Sequence, residues 1–219
     1  MDMNQARFNM IEQQIRPWEV LDPQVLNLLS VVRRADFGPL AHQAVGFVDM
    51  EIPLGTAPGQ VMLPPRVQAR LLQELALKNT DKVLEVGTGS GFMAALMAHQ
   101  AASVLSLESD ASLAAQAQVN LQKAGVHNVT VRATDGTSGA PADGPFDAIL
   151  LSGSVAQVPS ALLQQLKVGG RLVAIVGDEP MMRASVVTRT SDNSFTTTEP
   201  WDCNAPRLAG FAEPSHFAF

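Results

Sequence analysis

Ahead of Lys82 the apolar positions recur at helical spacing, and beyond it they gather into short runs. Phe8, Ile11 and Ile15 share one face of a first helix, which Pro17 stops. Asp22 then Pro23 supplies an N-cap and a proline at the first helical position. Val25, Leu26, Leu28, Leu29 and Val32 form the apolar stripe of this second helix, with Arg33 and Arg34 in its last turn, where the dipole favours cations. Residues 35–65 lose all periodicity. Prolines at 39, 53, 58, 64 and 65 and glycines at 38, 46, 55 and 59 predict a loop that lies over a surface or lines a pocket. Only short strands fit there, such as Gly46–Ile52. Arg66–Leu77 returns to an amphipathic helix.

From Lys82 the pattern becomes strand, helix, strand. Val83–Val86 reads as a buried strand followed by a helix over Ser90–Ala101. Val104–Leu107 is a second strand, and Asp110 caps a helix that runs to about Lys123 and closes at Gly125. Asn128–Arg132 and Phe146–Leu151 are strands three and four, Pro159–Leu166 a short helix, and Lys167–Gly170 the turn into strand five, Arg171–Val176. Ala184–Arg189, the turn Ser191–Ser194 and Phe195–Thr198 close an antiparallel edge as a hairpin. The expected fold is α/β: a doubly wound, mostly parallel, seven-stranded Rossmann-like sheet with an N-terminal helical extension. Residues 1–219 read as one domain, with 1–80 the helices and covering loop and 81–219 the nucleotide-binding core. The tail after Cys203, with prolines 206 and 214 and aromatics 211, 217 and 219, reads as packed irregular coil.

Composition narrows the function. With 46% apolar and 16% charged residues the chain is globular in character. Its net charge is −6, from 15 basic and 21 acidic residues spread along it, so no basic cluster suits a nucleic-acid backbone. The single cysteine, Cys203, excludes an intrachain disulfide and points to a reducing compartment. The first residues lack the apolar stretch of a signal peptide, and no run reaches the roughly 18–20 apolar residues of a membrane span. A soluble cytoplasmic protein is expected. The four histidines show no metal spacing; His99 and His127 belong to solvated surface, and no metal is expected.

The chemistry concentrates where the first core strand ends. Glu85-Val86-Gly87-Thr88-Gly89-Ser90-Gly91 joins a strand to a helix through three alternating glycines, which tolerate positive φ and let a ligand approach bare backbone. A dinucleotide fingerprint would carry its third glycine at Phe92, which disfavours a nicotinamide enzyme. A strand–helix turn that binds nothing is the other alternative. About twenty residues on, Glu108 at the tip of the second strand can accept hydrogen bonds from both ribose hydroxyls. Together the motif and Glu108 resemble the nucleotide site of a class I S-adenosylmethionine-dependent methyltransferase, which implies S-adenosyl-L-methionine as cofactor. Asp135-Gly136, after strand three, reads either as the acceptor of the adenine amino group or as an Asx-turn, and the two roles can coexist. Ser152 and Ser154, after strand four, either orient an acceptor or simply form a turn.

Over almost its whole length the chain resembles the protein-L-isoaspartate (D-aspartate) O-methyltransferase family. The residues that carry the likeness are Asn9–Arg16 and Asp22–Leu26, Pro53-Leu54-Gly55, Gly59-Gln60 with Pro65, Leu84–Phe92, Asp135-Gly136, Pro145–Ile149, and Gly169–Val173 with Val176-Gly177. The resemblance implies cofactor contacts at Glu85, Gly87, Thr88, Gly89, Ser90, Gly91, Glu108, Asp135 and Gly136, and a protein or peptide carboxylate as methyl acceptor. One departure concerns the acceptor. After Gly-Gln the family usually carries Thr-Ile-Ser, whose serine acts at the substrate carboxyl. Here Val61-Met62-Leu63 follows, so Leu63 stands at the serine position and the pocket lip becomes apolar. Thr56, Gln60, Leu63 and Ser152 are the candidate acceptor contacts. Three readings follow: an isoaspartyl-type methyltransferase, the same scaffold acting on a more apolar small molecule, and a cofactor-binding interaction protein without methyl transfer.

Overall fold

From Lys82 onward strands form where the apolar runs predict them, and two short ones form in the loop ahead of it. In the computed structural model, which describes residues 2–55 and 57–213, these are β1 (Ile52–Pro53), β2 (Val61–Met62), β3 (Lys82–Val86), β4 (Ser103–Glu108), β5 (Val129–Ala133), β6 (Phe146–Val155), β7 (Leu166–Asp178), β8 (Met181–Ser191) and β9 (Ser194–Asp202). Strands β3 to β9 make one sheet in the order β5-β4-β3-β6-β7-β8-β9, and β1 pairs with β2 separately. The first five of those seven run parallel; β8 is antiparallel to β7, and β9 is antiparallel to β8. Chain order reverses between β3 and β6. A crevice therefore opens at their carboxyl ends, where an open α/β sheet takes its ligand.

Alternation along β3 assigns its faces. Val83 joins the larger apolar cluster under the N-terminal helices, and Leu84 and Val86 join the smaller one on the opposite side. Glu85 shares the face of Val83 and is fully buried. Helix α4 (Phe92–Ala98) is buried at every position, held between the sheet and α3 (Pro65–Leu75). Helix α5 (Ala111–Lys123) is half solvent-facing, capped by Asp110, whose side chain accepts from the Ser112 and Leu113 amides. Gly125, at φ +70°, follows its end.

Several elements differ from the sequence expectation, each for a physical reason. Helix α1 (Met3–Asn9) runs on into a π-helical turn over Met10–Ile15, which turns Met10, Ile11 and Ile15 inward and leaves Phe8 exposed; Pro17 lies inside the following 3-10 turn. Helix α2 (Pro23–Val31) is capped by Asp22 as expected but ends before both arginines. Arg33 is extended and Arg34 turns inward. Instead of a strand over Gly46–Ile52 only Ile52 pairs, because the Gly46 and Met50 carbonyls are taken by Arg34 rather than by a ladder. Helix α3 stops at Leu75 and not at Leu77. Helix α4 starts at Phe92 and not at Ser90, since Gly89 and Gly91 hold positive φ, which a right-handed helix excludes. Lys167–Gly170 is not a free turn: β7 begins at Leu166, and these residues bulge out between the pairs Phe146↔Leu166 and Ala148↔Arg171. Helix α6 spans only Ser160–Leu163. The hairpin is longer than expected on both sides of the Asp192-Asn193 tip. In the tail, Arg207 forms a bridge with Ser154, and residues 203–205 and 208–213 are coil; Phe217 and Phe219 lie outside the described residues. Among the described residues no helix is long and apolar enough to cross a membrane.

Candidate cofactor and acceptor site

The glycine turn leaves β3 with its backbone anchored on β4: the Gly87 amide donates to Leu107 O at 2.8 Å, and the Gly91 amide donates back to Thr88 O at 2.9 Å. Positive φ at 87, 89 and 91 (+92°, +52° and +84°) is open without strain only to glycine. The three do different work. A Cβ on Gly87 would come within 2.7 Å of Leu208 Cδ2, and one on Gly89 within 3.2 Å of Leu54 Cδ1, so both present bare backbone to side chains from outside the sheet. A Cβ on Gly91 would instead meet Ala117 O and Leu121 Cγ at 3.3 Å, so its missing side chain serves the packing of α5 against the turn.

Glu108 ends β4 beside that turn. Its Oε2 accepts from the Gly89 amide at 2.8 Å and its Oε1 from the Asp110 amide at 3.1 Å. It borders a cavity of about 150 Å³ with Gly87, Gly89 and Gly136 as bare backbone and Val86, Leu107, Leu113 and Phe211 as apolar wall. Asp135 is exposed and does not border this cavity; its carboxylate accepts from the Thr137 amide at 2.9 Å and hydroxyl at 3.0 Å, the Asx-turn arrangement. Gln60 closes the roof. Its Oε1 accepts from the Ala57 amide at 3.2 Å, and its Nε2 donates to Asp110 Oδ2 at 2.8 Å, tying the covering loop to the cap of α5. The Ser112 hydroxyl, then the Leu113 amide and Gln60, hold the Asp110 carboxyl down at about 2. Thr56 lies outside the described residues.

Beneath the turn is a buried polar chain. Ser106 donates to Glu85 Oε2 at 2.6 Å, Ser152 donates to Glu85 Oε1 at 2.7 Å, and Thr88 Oγ1 lies 2.5 Å from Ser106 Oγ. Burial pushes the Glu85 carboxyl up to about 7 against the opposing pull of the two serine hydroxyls. A recess of about 20 Å³ opens here, bordered by Glu85, Thr88, Ser90 and Ser152 on one side and Val61, Met62, Leu63 and Gln68 on the other. The lip is apolar at 61–63, as expected, and Leu63 is buried with its carbonyl accepting from Arg34 at 2.8 Å. Ser90 Oγ accepts from the Phe92 amide at 3.3 Å, at the start of α4. Ser154 has no access to either cavity: it is buried, its amide donating to Pro206 O at 2.8 Å and its carbonyl accepting from Leu208 at 2.9 Å.

Most of the expected residues thus converge on one crevice: Gly87, Thr88, Gly89, Ser90, Glu108, Gly136, Gln60, Leu63 and Ser152 border it directly, and Glu85 underlies it. Three contributors carry no periodic signal in the sequence. Leu208 and Phe211 reach the crevice from a tail strap, which Arg207 fastens through Gly177 O at 2.6 Å and an ion pair with Asp178. Gln68 reads only as one polar position of an amphipathic helix. Among the described residues no cluster of His, Cys, Asp or Glu is arranged to hold a metal ion.

Known proteins resemble the chain over nearly its whole length. Residues 5–204 match the family described as protein-L-isoaspartate(D-aspartate) O-methyltransferase. A protein-L-isoaspartate O-methyltransferase 2 of Marinobacter nauticus is 37% identical over 210 residues, 95% of either chain. A protein-L-isoaspartate O-methyltransferase of Koribacter versatilis is 36% identical over 93% of this chain and 90% of its own. In fold, the chain is similar to a Plasmodium falciparum protein described as a protein-L-isoaspartate O-methyltransferase and solved with S-adenosyl-L-homocysteine. The TM-score is 0.74 at 18% identity, over 94% of this chain and 97% of that one. A second solved protein-L-isoaspartate O-methyltransferase gives 0.77 at 21% identity, over 95% of this chain and 66% of that one. With the family match running nearly end to end, this chain belongs to the protein-L-isoaspartate(D-aspartate) O-methyltransferase family.

Proposed function

We propose that this chain is an S-adenosylmethionine-dependent O-methyltransferase that transfers a methyl group to a protein or peptide carboxylate of the isoaspartyl type, in protein repair. The observation that carries the reading is the juxtaposition of Gly87 and Gly89 backbone with the Glu108 carboxylate at the switch point of the sheet. The residues suit an adenosyl group. Glu108 offers acceptors for a diol, apolar side chains flank a planar ring, and the bare turn admits close approach. At about 150 Å³ the cavity is narrower than the roughly 300–1,000 Å³ usual for such ligands. Its walls outside the sheet are Leu54, Leu208, Phe211 and the Gln60 loop, so we take these, and not the sheet, to shift on binding. We place the protein in the cytoplasm as one methyltransferase unit, a reading that the lone Cys203 supports.

Bound S-adenosylmethionine supplies an electrophilic methyl on a positively charged sulfur. The chain's part is positional. A carboxylate acceptor, which ordinarily titrates near about pH 4, is already ionised at neutral pH and needs no general base. Orientation of two reactants offers on the order of 7–11 kcal/mol. Val61 and Leu63 offer the acceptor no hydroxyl, and the Ser152 hydroxyl at the crevice donates to Glu85. A charge-assisted hydrogen bond is worth about 1.5–3 kcal/mol, so restoring one at position 63 changes rate by roughly ten- to a hundredfold. The test is transfer of labelled methyl to an isoaspartyl peptide, with Leu63→Ser measured alongside. Turnover by the parent protein, faster in the variant, is expected. No turnover by either, with S-adenosylhomocysteine still bound at micromolar concentration, discards the isoaspartyl acceptor and favours a more apolar one.

A further inference from the structure

We infer that Gln68 is a binding residue of this site: its side-chain amide donates to a carboxylate, that of the methyl donor or that of the acceptor, in the recess behind Val61–Leu63. The inference rests on the proposal that the crevice takes S-adenosylmethionine and a carboxylate acceptor. Gln68 lies on α3 and is 4% exposed. A buried carboxamide has an acceptor oxygen and two N–H donors to satisfy. Its Oε1 accepts from Arg34 Nε at 3.3 Å. A guanidinium only donates, so this contact fixes which way the amide points: oxygen to Arg34, Nε2 away from it. No hydrogen bond from Nε2 joins it to any other described residue. The side chain borders the recess of about 20 Å³ shared with Thr88, Ser90 and Ser152, room for one water or one carboxylate oxygen. Of the other side chains there, both Glu85 oxygens accept from serines, so Glu85 and Ser152 offer no free donor. The Ser90 hydroxyl, which accepts from the Phe92 amide, shares the recess with the Gln68 amide. Arg34, buried behind the amide, adds a positive charge that favours an anion in front of it. Where the family's Thr-Ile-Ser hydroxyls are absent, an amide donor from the neighbouring helix takes their place.

The experiment compares the parent protein with Gln68→Leu and Gln68→Glu. The second variant keeps an oxygen for Arg34 while replacing the donor by a further acceptor, so a loss common to both reports the Nε2 donor and not the Arg34 contact. Three quantities are measured: calorimetric Kd for S-adenosylhomocysteine, Kd for 5′-methylthioadenosine, which lacks the amino-acid carboxylate, and KM and kcat with an isoaspartyl peptide. A ten- to hundredfold weaker S-adenosylhomocysteine with unchanged methylthioadenosine assigns Gln68 to the donor carboxylate. Unchanged S-adenosylhomocysteine with KM raised by that factor at constant kcat assigns it to the acceptor. Variants that melt as the parent does and match it in all three quantities overturn the inference. A parent protein that binds no S-adenosylhomocysteine removes the cofactor reading itself, and this inference with it.

Discussion

Glu85 is the most heavily perturbed carboxyl at the site, and its burial has a consequence for pH. A carboxyl lifted from 4.5 to about 7 on folding binds its proton more tightly in the folded chain than in the unfolded one. Between those values the folded state holds more protons, so this group's contribution to stability is complete below about pH 4.5 and is lost as pH rises to 7. At one pKa unit per 1.36 kcal/mol the effect reaches roughly 3 kcal/mol at most. Glu85→Gln, which cannot titrate, is expected to show a flatter profile of urea-unfolding free energy over that window than the parent; parallel profiles would refute it. The glycines give a second prediction at this scale. Gly87→Ala forces a Cβ into φ +92° and against Leu208, at a cost of about 1–2 kcal/mol in strain. It should weaken S-adenosylhomocysteine at least tenfold in calorimetry. Gly91→Ala should lower the melting temperature by a few degrees and leave that affinity alone, because its neighbours are α5 atoms. The motif was legible in the sequence as three alternating glycines; that the third packs against α5 was not, since α5 lies against it only in the folded chain.

At the scale of elements, the covering region depends on Arg34. Its guanidinium donates to Gly46 O and Leu63 O at 2.8 Å and to Met50 O at 3.4 Å, holding the two ends of an otherwise irregular loop together. Burial lowers its pKa to about 10, partly offset by Asp49, so it remains a cation at neutral pH. Arg34→Met should destabilise the fold by about 2–5 kcal/mol in urea denaturation, because several buried carbonyls lose their donor together. Arg34→Lys should recover little of this, one ammonium being unable to span the same acceptors. Full recovery by lysine would contradict the clamp. Sequence pattern located the second helix well through its Asp22-Pro23 cap, yet put Arg34 in its last turn as a dipole partner. The carbonyls that draw the side chain inward come from residues 12 to 29 positions later, and no local rule reports them. The same limit explains the missed π-turn after α1, where the stripe shifts and Phe8 is left outside.

At the scale of the molecule, the alternation of strands and helices after Lys82 made the parallel sheet legible, because it follows from burial of short apolar runs on two faces, whereas the strand order that sets its switch point was not. The tail strap was not legible. Arg207 and Leu208 acquire their places from Ser154, Gly177 and Gly87, all distant in sequence. The crevice is thus a joint product of the sheet ends, the Gln60 loop and the strap, with Glu108 as its one carboxylate facing the larger cavity among the described residues. The measurement that bears most directly on it is a calorimetric titration of S-adenosylhomocysteine into the parent protein and into Glu108→Ala, both shown to be folded. Micromolar binding by the parent and at least tenfold weaker binding by the variant is the predicted result. A folded parent that takes up no ligand, or a variant that binds as tightly as the parent, would contradict the cradle at Gly87, Gly89 and Glu108.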